Sequence, residues 1–488
     1  MDASVIVVGA GPAGLMLAAE LRLGGVDVIV LEKHSRRTGE SRGLGFTIRT
    51  MEVFDQRGLL PRFGNAETSG QGHFGGVPVD FHELDSKHLA AKTVPQSRTE
   101  EVLEAWAVEL GTDIRRGHEV LSLHDDGASV EVEVAGPAGV VRLRAGYLVG
   151  CDGGRSVVRK AAGFDFPGTA ASRELFLADV RGLDLEPRMI GETVPGGMVM
   201  VGPFGDGIHR IIVGERDAPP RRRTEPPAYA EVAAAWQRLI GTDISDGEPV
   251  WVSSFSDAAR QVSEYRRGRV LLAGDAAHIH LPAGGQGMNT SVQDSVNLGW
   301  KLAAVVRGTA PADLLDTYHG ERHPVGRRLL MNTRAQGLLI LGGDEVQPLR
   351  DVLGELLGFD GVNRHLAAMV SGLEIRYEVG PGDHPVLGRR LPPLDLDTAA
   401  GPISAAELLH PARGVLLNLT DDPALREAAE PWSDRVDLRV ATVRGLADDD
   451  PLKATTAVLV RPDGHVAWTS ESHLELPAAL HRWFGPAR

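Results

Sequence analysis

The run Gly9-Ala10-Gly11-Pro12-Ala13-Gly14 sets three glycines at the spacing that lets a strand turn sharply, approach a diphosphate with bare backbone and pack the next helix on the sheet. Each step needs the absence of a Cβ. The helix that follows offers unpaired N–H groups and the positive end of its dipole, so no lysine is required to hold phosphates. Glu32 closes the second strand at the spacing expected of an acceptor for both ribose hydroxyls, and an acid there favours a free 2'-hydroxyl over a 2'-phosphate. A lone GxGxxG is a weak pointer, and a merely tight turn competes with it. Strand, motif, helix, strand and terminal acid together point to a dinucleotide.

Two further runs carry chemistry. Val149-Gly150-Cys151-Asp152-Gly153-Gly154-Arg155-Ser156 ends a strand and opens a helix at Ser156; by itself it reads equally as a capped turn. Gly274-Asp275-Ala276-Ala277-His278 is followed by Pro282-Ala283-Gly284-Gly285-Gln286-Gly287-Met288-Asn289 and a helix. Asp275, just past a buried strand, can accept a hydrogen bond from a ribityl hydroxyl. The glycines let main-chain N–H groups reach the pyrimidine edge of an isoalloxazine, and the helix N-terminus would stabilise negative charge at N1 and O2 of the reduced ring. His278 and His280 could be bases or ligands, but histidines beside a buried loop are more often satisfied by hydrogen bonds; His280 is kept as the one weak catalytic candidate. No metal site is expected.

The elements that must position these groups follow from periodicity. Ser4 to Val8 reads as a strand, Ala13 to Leu23 as a helix and Val26 to Leu31 as a second strand, one βαβ unit of a doubly wound α/β fold. From Ser172 to Glu264 the texture turns to short β-rich pieces, such as Gly197 to Val201 and Ile208 to Val213, with one helix near Tyr229 to Leu239. Val270 to Ala273 returns to a buried strand, with a helix through Leu302 and another from Ala312 to Leu341 kinked at Pro324. Leu391-Pro392-Pro393-Leu394 reads as a linker before a last α/β pattern: strands Gly414 to Leu419 and Val436 to Val443, and a hairpin from Ala457 to Thr469 turning at Pro462-Asp463-Gly464. The expected division is a discontinuous nucleotide-binding domain, 1–171 with 265–393, an inserted sheet domain, 172–264, and a C-terminal domain, 394–488.

Composition removes several classes. The net charge of -15 over 488 residues disfavours polyanions, and the basic run Arg221-Arg222-Arg223 falls in an expected loop, so nucleic acid is not an expected partner. The start lacks a basic segment and its apolar run stops at Gly9, which points to a cytoplasmic, non-membrane protein. With a single cysteine, Cys151, no intrachain disulfide and no dithiol electron shuttle can form, which excludes the disulfide reductases that share such a βαβ unit. No second GxGxxG follows a strand, so a nicotinamide coenzyme has no resident Rossmann site and must dock transiently.

The GAGPAG with Glu32, the CDGGRS and the GDAAH…PAGGQGMN resemble the three fingerprints of the FAD-dependent aromatic hydroxylases related to para-hydroxybenzoate hydroxylase. Glu40 to Gly45, Pro95-Gln96-Ser97 and Asp316-Thr317-Tyr318…Glu321-Arg322 also resemble the branch acting on aromatic polyketides, with the nearest likeness to angucycline hydroxylases. The resemblance implies FAD held by Gly9, Gly11, Pro12, Ala13, Gly14, Glu32, Lys33, Arg42, Gln96, Val120, Asp152, Asp275, Pro282, Gly285, Gly287, Met288 and Asn289. It also sets Arg49 near the pyrophosphate and Arg155 near FAD and the nicotinamide donor. It implies NADPH as reductant, O2 adding at flavin C4a to give a hydroperoxide, and oxygen transfer to a polycyclic aromatic polyketide, an angucyclinone by preference, in antibiotic biosynthesis. The flavin carries the hard step while the protein excludes water. The pocket is expected between the inserted sheet and the 283–289 loop, with Phe74, Met198, Met200 and Phe255 as candidate walls. The last domain resembles a thioredoxin-like tail without its cysteine pair, suited to packing or a homodimer contact. Two alternatives stand beside this reading: an oxidase or reductase of the same fold that inserts no oxygen, and a non-enzymatic flavin-holding scaffold.

Overall fold

The computed structural model describes residues 1–221 and 223–488; Arg222, the middle of the basic run, lies outside the described residues. Strand β1 (Ala3–Val8) is apolar at nearly every position because it is covered on both faces, and Val5 to Val7 are fully buried. After the glycine turn comes α1 (Pro12–Leu23), then β2 (Val28–Glu32). The second strand starts two residues later than its apolar run suggests, because the Val26 N–H turns back to the Leu21 carbonyl and closes the helix. β1 pairs in parallel with β2 on one side and with Gly139–Gly150 on the other, which in turn pairs in parallel with Val270–Leu272; Asp113–Arg116 lies outside β2. The register sets Val8 beside Leu31 and Gly150, and Gly150 beside Leu272. All three glycine-rich runs and Glu32 therefore leave the sheet side by side at its carboxyl edge, where doubly wound sheets bind ligands. α2 (Gln96–Glu109) packs on α1, and the short α3 (Val157–Ala161) follows the second run.

The middle segment is one antiparallel sheet in the order Arg188–Val194, Gly197–Pro203, His209–Glu215, Glu174–Arg181, Glu248–Ser256. Helix α4 (Tyr229–Ile240) buries Val232 and Trp236 against Val180, Val199 and Ile211 on one face of it. The opposite face presents Leu175 and Met198 to Leu281, Ala283 and Leu341, which brings this sheet onto the loop that follows the third glycine run.

Two long helices join these parts, α5 (Gln286–Val306) and α6 (Asp316–Leu341), the latter with Pro324 inside it. Gln347–Leu357 and Asp360–Ser371 are helices with no counterpart in the expected element list. The C-terminal four-stranded sheet has Gly414–Asn418 parallel to Val436–Val440 and antiparallel to Ala457–Val460, which pairs with Val466–Thr469. The single strand expected from Val436 to Val443 is two. Its end, Thr442–Val443, crosses to pair with Asp395–Thr398, and the Ala441 N–H is held by the Asn418 carbonyl between them. This is a thioredoxin-like sheet in which a 3-10 turn at Pro451–Lys453 stands before the hairpin.

The hairpin tip carries a buried ion cluster into α5 and α6. Both terminal nitrogens of Arg461 donate to Glu321, at 2.6 and 2.9 Å, and Arg461 also pairs with Asp463; Lys301 Nζ reaches Glu321 at 2.8 Å. Arg57, paired bidentately with Glu20, donates to the Pro462 carbonyl at 2.8 Å. Burial alone would raise the Glu321 carboxyl, but the charges of Arg461 and Lys301 outweigh it and hold it at about 2. Glu321→Gln leaves Lys301 buried without a carboxylate and Arg461 with Asp463 alone, and the expected loss is about 3–5 kcal/mol in denaturant unfolding. A loss below about 1 kcal/mol would refute the cluster's structural weight.

The same tip sets an acid limit. Burial pushes His465 down to about 4 against the pull of Asp463, so it stays neutral in the fold while the unfolded chain protonates below about 6.5. The native state then binds fewer protons, and this group withdraws stability as pH falls from about 6.5 to about 4, with no further change below. Tm measured across that window is expected to fall more steeply in the wild type than in His465→Gln; equal slopes would remove His465 as a source.

Candidate functional site

The first glycine run divides by function. Gly9 sits at φ +104°, and a Cβ there would lie 2.5 Å from the Cys151 carbonyl oxygen; at Gly14 it would lie 1.9 Å from the Gly9 oxygen. Gly11 has no atom within 4 Å of its Cβ position and faces open space. α1 opens with Pro12 and no side-chain cap, and its first hydrogen bond returns from the Leu15 N–H to Gly11, so the Ala13 and Gly14 N–H groups have no helical partner. Glu32 accepts the Ala10 N–H on one carboxylate oxygen and the His34 N–H on the other, each at 2.9 Å, which locks it at the rim of this turn; Lys33 beside it is exposed. The Glu32 carbonyl accepts the His118 N–H, and Val120, two residues on, is buried behind it.

The second run lands next to the first, but its carboxylate serves the protein. Asp152 takes the Ser156 hydroxyl and the Val157 and Val158 N–H groups at 2.5, 2.6 and 3.1 Å, capping α3 as the capped-turn reading anticipated. What this run presents to Gly9 is its main chain, with the Asp152 Cα 3.1 Å from the position of an added Cβ. Arg155 is exposed.

The third run supplies the other lobe. Gly274, at φ +62°, packs so closely that a Cβ would meet the Ser291 hydroxyl at 2.9 Å and Ala13 at 3.2 Å, which sets the exposed Asp275 beside the start of α1. The Gly274 N–H donates to Asp294, which also holds His278 Nε2 at 2.8 Å and Arg322 Nε at 2.6 Å. His278 is thus a fully buried structural group. His280 Nδ1 lies 2.7 Å from the Leu281 carbonyl, and burial pushes its pKa down, so the ring is neutral beside Gly287. After the exposed Pro282, Gly284 and Gly285 stand at φ +69° and +65°, consecutive left-handed positions that α5 follows with no side-chain cap. Asn289 fastens the loop, accepting the Thr47 N–H at 2.9 Å and donating to Gly45 and Gly285.

The 41–45 segment closes the site. Gln96 accepts the Gly43 N–H at 3.1 Å, Ser97 N–H and Ser41 Oγ meet at 2.9 Å, and Met288 Sδ lies 3.4 Å from a Cβ placed on Gly43. Arg42 is exposed, and its carbonyl accepts from Arg210, itself buried in a bidentate pair with Asp179 at 2.8 Å. Neither Arg210 nor Asp179 was marked by any motif. Arg49 falls elsewhere: its two terminal nitrogens are taken by Glu52 and by the Asp463 carbonyl, so it anchors the C-terminal hairpin rather than facing a phosphate. Phe74 packs with Ile48, Val79 and Phe81 in a separate core, and Met198 is buried core, whereas Met200 and Phe255 are half-buried.

Two uncapped helix N-termini, an open Gly11, a locked Glu32 and an exposed Asp275 on one sheet edge fit the diphosphate, ribose and ribityl groups of FAD. Fold and site define a dinucleotide-binding flavoprotein of the doubly wound class. The chain belongs to the FAD-binding aromatic-ring hydroxylase family: residues 2–333 match the FAD binding domain and residues 384–487 the aromatic-ring hydroxylase C-terminal domain. It is an FAD-dependent monooxygenase by family. The crystal structure of CabE, an aromatic hydroxylase from angucycline biosynthesis, superposes with a TM-score of 0.98 at 70% identity, covering 100% of both chains. A 12-dehydrotetracycline 5-monooxygenase/anhydrotetracycline 6-monooxygenase of Streptomyces rimosus is 44% identical, covering 100% of this chain and 99% of its own. The dialkyldecalin synthase of Streptomyces rugosporus is 39% identical over 100% of each. Among the described residues no helix is long and apolar enough to cross a membrane.

The glycines give a test that separates fold from ligand. Gly14→Ala is expected to cost folding outright, whereas Gly11→Ala is expected to keep the Tm of the FAD-free protein within about 2 °C and to lower FAD affinity at least tenfold. Calorimetry of the FAD-free protein and flavin fluorescence titration read the two effects. Unchanged FAD affinity in Gly11→Ala would show that the turn does not face the diphosphate.

Proposed function

We propose that this chain is an NADPH-consuming monooxygenase that hydroxylates a polycyclic aromatic polyketide of the angucyclinone class in antibiotic biosynthesis. The observation that carries the reading is the half-buried apolar wall of Met200, Ile212, Phe255 and Ile340, set against Leu281 and Ala283 at the foot of the 284–289 loop. A flat apolar ring laid there lies against the loop in which we place the flavin ring, and the whole-chain likeness to an angucycline hydroxylase supports the substrate class. Bound FAD supplies the chemistry: it accepts a hydride from the nicotinamide and activates O2 for transfer to an electron-rich ring.

The residues bind and orient. We assign the N–H groups of Ala13 and Gly14 to the diphosphate, Glu32 and Lys33 to the ribose end with the Val120 backbone at adenine, and Asp275, Arg42 and Gln96 to the ribityl and pyrophosphate region. We assign Pro282, Gly285, Gly287, Met288 and Asn289 to the isoalloxazine, with Asp152 acting only through its main chain. The α5 N-terminus favours the anionic reduced ring. Burial keeps His280 neutral, so it serves as wall or hydrogen-bond partner, and no catalytic side chain is assigned. The work divides among three segments: residues 1–171 with 265–393 hold FAD, 172–264 face the substrate, and 394–488 brace the fold. NADPH docks from solvent and leaves.

The synthase relative favours one competing reading, in which the same scaffold acts on its substrate without inserting oxygen. Turnover of an angucyclinone panel under 18O2 with NADPH separates the two. One labelled oxygen per product, formed at about one NADPH per turnover, is expected; an unlabelled product at that coupling would sink the proposal.

A further inference from the structure

Behind the flavin loop lies a second space, a cavity of about 690 Å3 between α5, α6 and the segment around Met369 to Leu387. α5 separates it from the flavin side. Gly287 lies beside His280, Met288 beside Gly43 and Ser291 beside Gly274, while Gln286, Asn289 and Gln293, three and four residues apart, line the cavity. At the loop end three amides close the wall. Asn332 donates to Gln286 at 2.9 Å, Gln336 donates to Asn332 at 2.8 Å, and the Gly75 N–H donates to Gln336 at 3.1 Å.

The lining is selective in its chemistry. Formal charges inside its walls are matched, Glu321 by Arg461 and Lys301 and Arg328 by Glu374 at 3.2 Å, while Arg376, which donates to the Leu387 carbonyl at 2.9 Å, and Glu378 are exposed. An anion such as a nucleotide phosphate finds only one lining cation without a carboxylate partner among the described residues, the exposed Arg376, and meets the exposed Glu378 two residues on. Neutral polar groups do await a partner. The Thr47 hydroxyl is buried without one, and Pro324 has no N–H to give the Gly320 carbonyl one turn before it, both residues lying on the cavity. Apolar surface from Val325, Leu329, Val370 and Val379 completes the walls. A concave space in the size range of small-molecule sites, with apolar walls and a few convergent neutral donors and acceptors, suits a flat hydroxylated ring system.

We propose that this cavity is a second ligand site, for a neutral hydroxylated polycyclic aromatic, distinct from the flavin crevice and in contact with it through Asn289. Only the ligand class rests on the function proposed above. Because Asn289 holds Thr47, Gly45 and Gly285 at once, a ligand on the cavity side meets the residue that fastens the flavin loop.

The test uses FAD-loaded enzyme and 1,8-dihydroxyanthraquinone as probe, with stoichiometry read by equilibrium dialysis. Two equivalents per FAD are expected in the wild type, one lost in Val325→Trp, which fills the cavity, and the other lost in Met200→Trp, which fills the crevice. A wild type that binds none, a single equivalent that Val325→Trp leaves in place, or a Val325→Trp that keeps FAD and both equivalents overturns the second site. A single equivalent that Val325→Trp removes and Met200→Trp does not instead counts against the proposed substrate class and leaves the cavity standing. Should Val325→Trp fail to hold FAD, Gln293→Leu decides: the cavity equivalent is expected to weaken about tenfold, and an unchanged Kd overturns the proposal.

Discussion

Helix α5 imposes the constraint on which the rest depends: along one buried rod it carries Gln286, Asn289, Thr290, Ser291, Gln293, Asp294, Ser295, Asn297 and Lys301, all nine-tenths or more out of water. Polar groups so placed are costly unless partnered, so each face of the helix dictates what must pack on it. Ser295 fixes the helix to α1 through the Ala13 carbonyl, Asp294 fixes the Gly274 turn and α6, and Asn297 with Lys301 calls for Glu321 and the hairpin of the last domain. At its flavin-side N-terminus, where no side chain caps it, the first N–H groups of the helix are left over for a ligand.

That arrangement explains why the C-terminal sheet, without any cysteine pair, is held so firmly. Arg461 lies over Trp483 at 4.5 Å while both its terminal nitrogens hold Glu321, so the tail's own core and the α5–α6 pair share one guanidinium. Ionised groups this deep do not add stability over an apolar core of equal volume, but removing one partner is expensive. The cluster therefore specifies how the tail docks more than how tightly it does so, and its partners, Glu20, Arg57, Arg49 and Asp463, extend that specification to α1 and to the helix Ile48–Asp55.

The sequence was most legible where function rests on backbone. Gly9, Gly14, Gly274, Gly284 and Gly285 announce themselves because no other residue fits their φ or their contacts, and the parallel sheet because its strands are apolar on both faces. Side-chain duties were legible only when the partner was near in the chain. The run from Val149 to Ser156 could be read as a capped turn, and it is one: Ser156 caps the helix and Asp152 holds the Ser156 hydroxyl. Arg49 could not be read, since its partner carbonyl at Asp463 lies 414 residues away. Arg210 and Asp179 sit on neighbouring strands whose pairing no local pattern fixes. The helices from Gln347 to Ser371 escaped because the first of them buries no residue and so carries no core-facing imprint that packing would demand.

The same reasoning bears on why the site holds so little acid–base equipment. A cofactor that carries its own electrophile asks the protein for shape, dryness and a fixed dipole rather than a proton donor. Around the glycine loop the structure supplies Leu281, Ala283 and the half-buried Met200 and Phe255, a neutral His280 and an uncapped helix end, while its buried charges are kept one layer back and fully paired. An unpaired charge at the crevice would draw in water and titrate with the ring. Pairing Asp294 of α5 with Arg322, and Glu321 with Lys301 and Arg461, lets these charges hold the loop in place without touching its chemistry, and the large polar content of that helix follows from this arrangement.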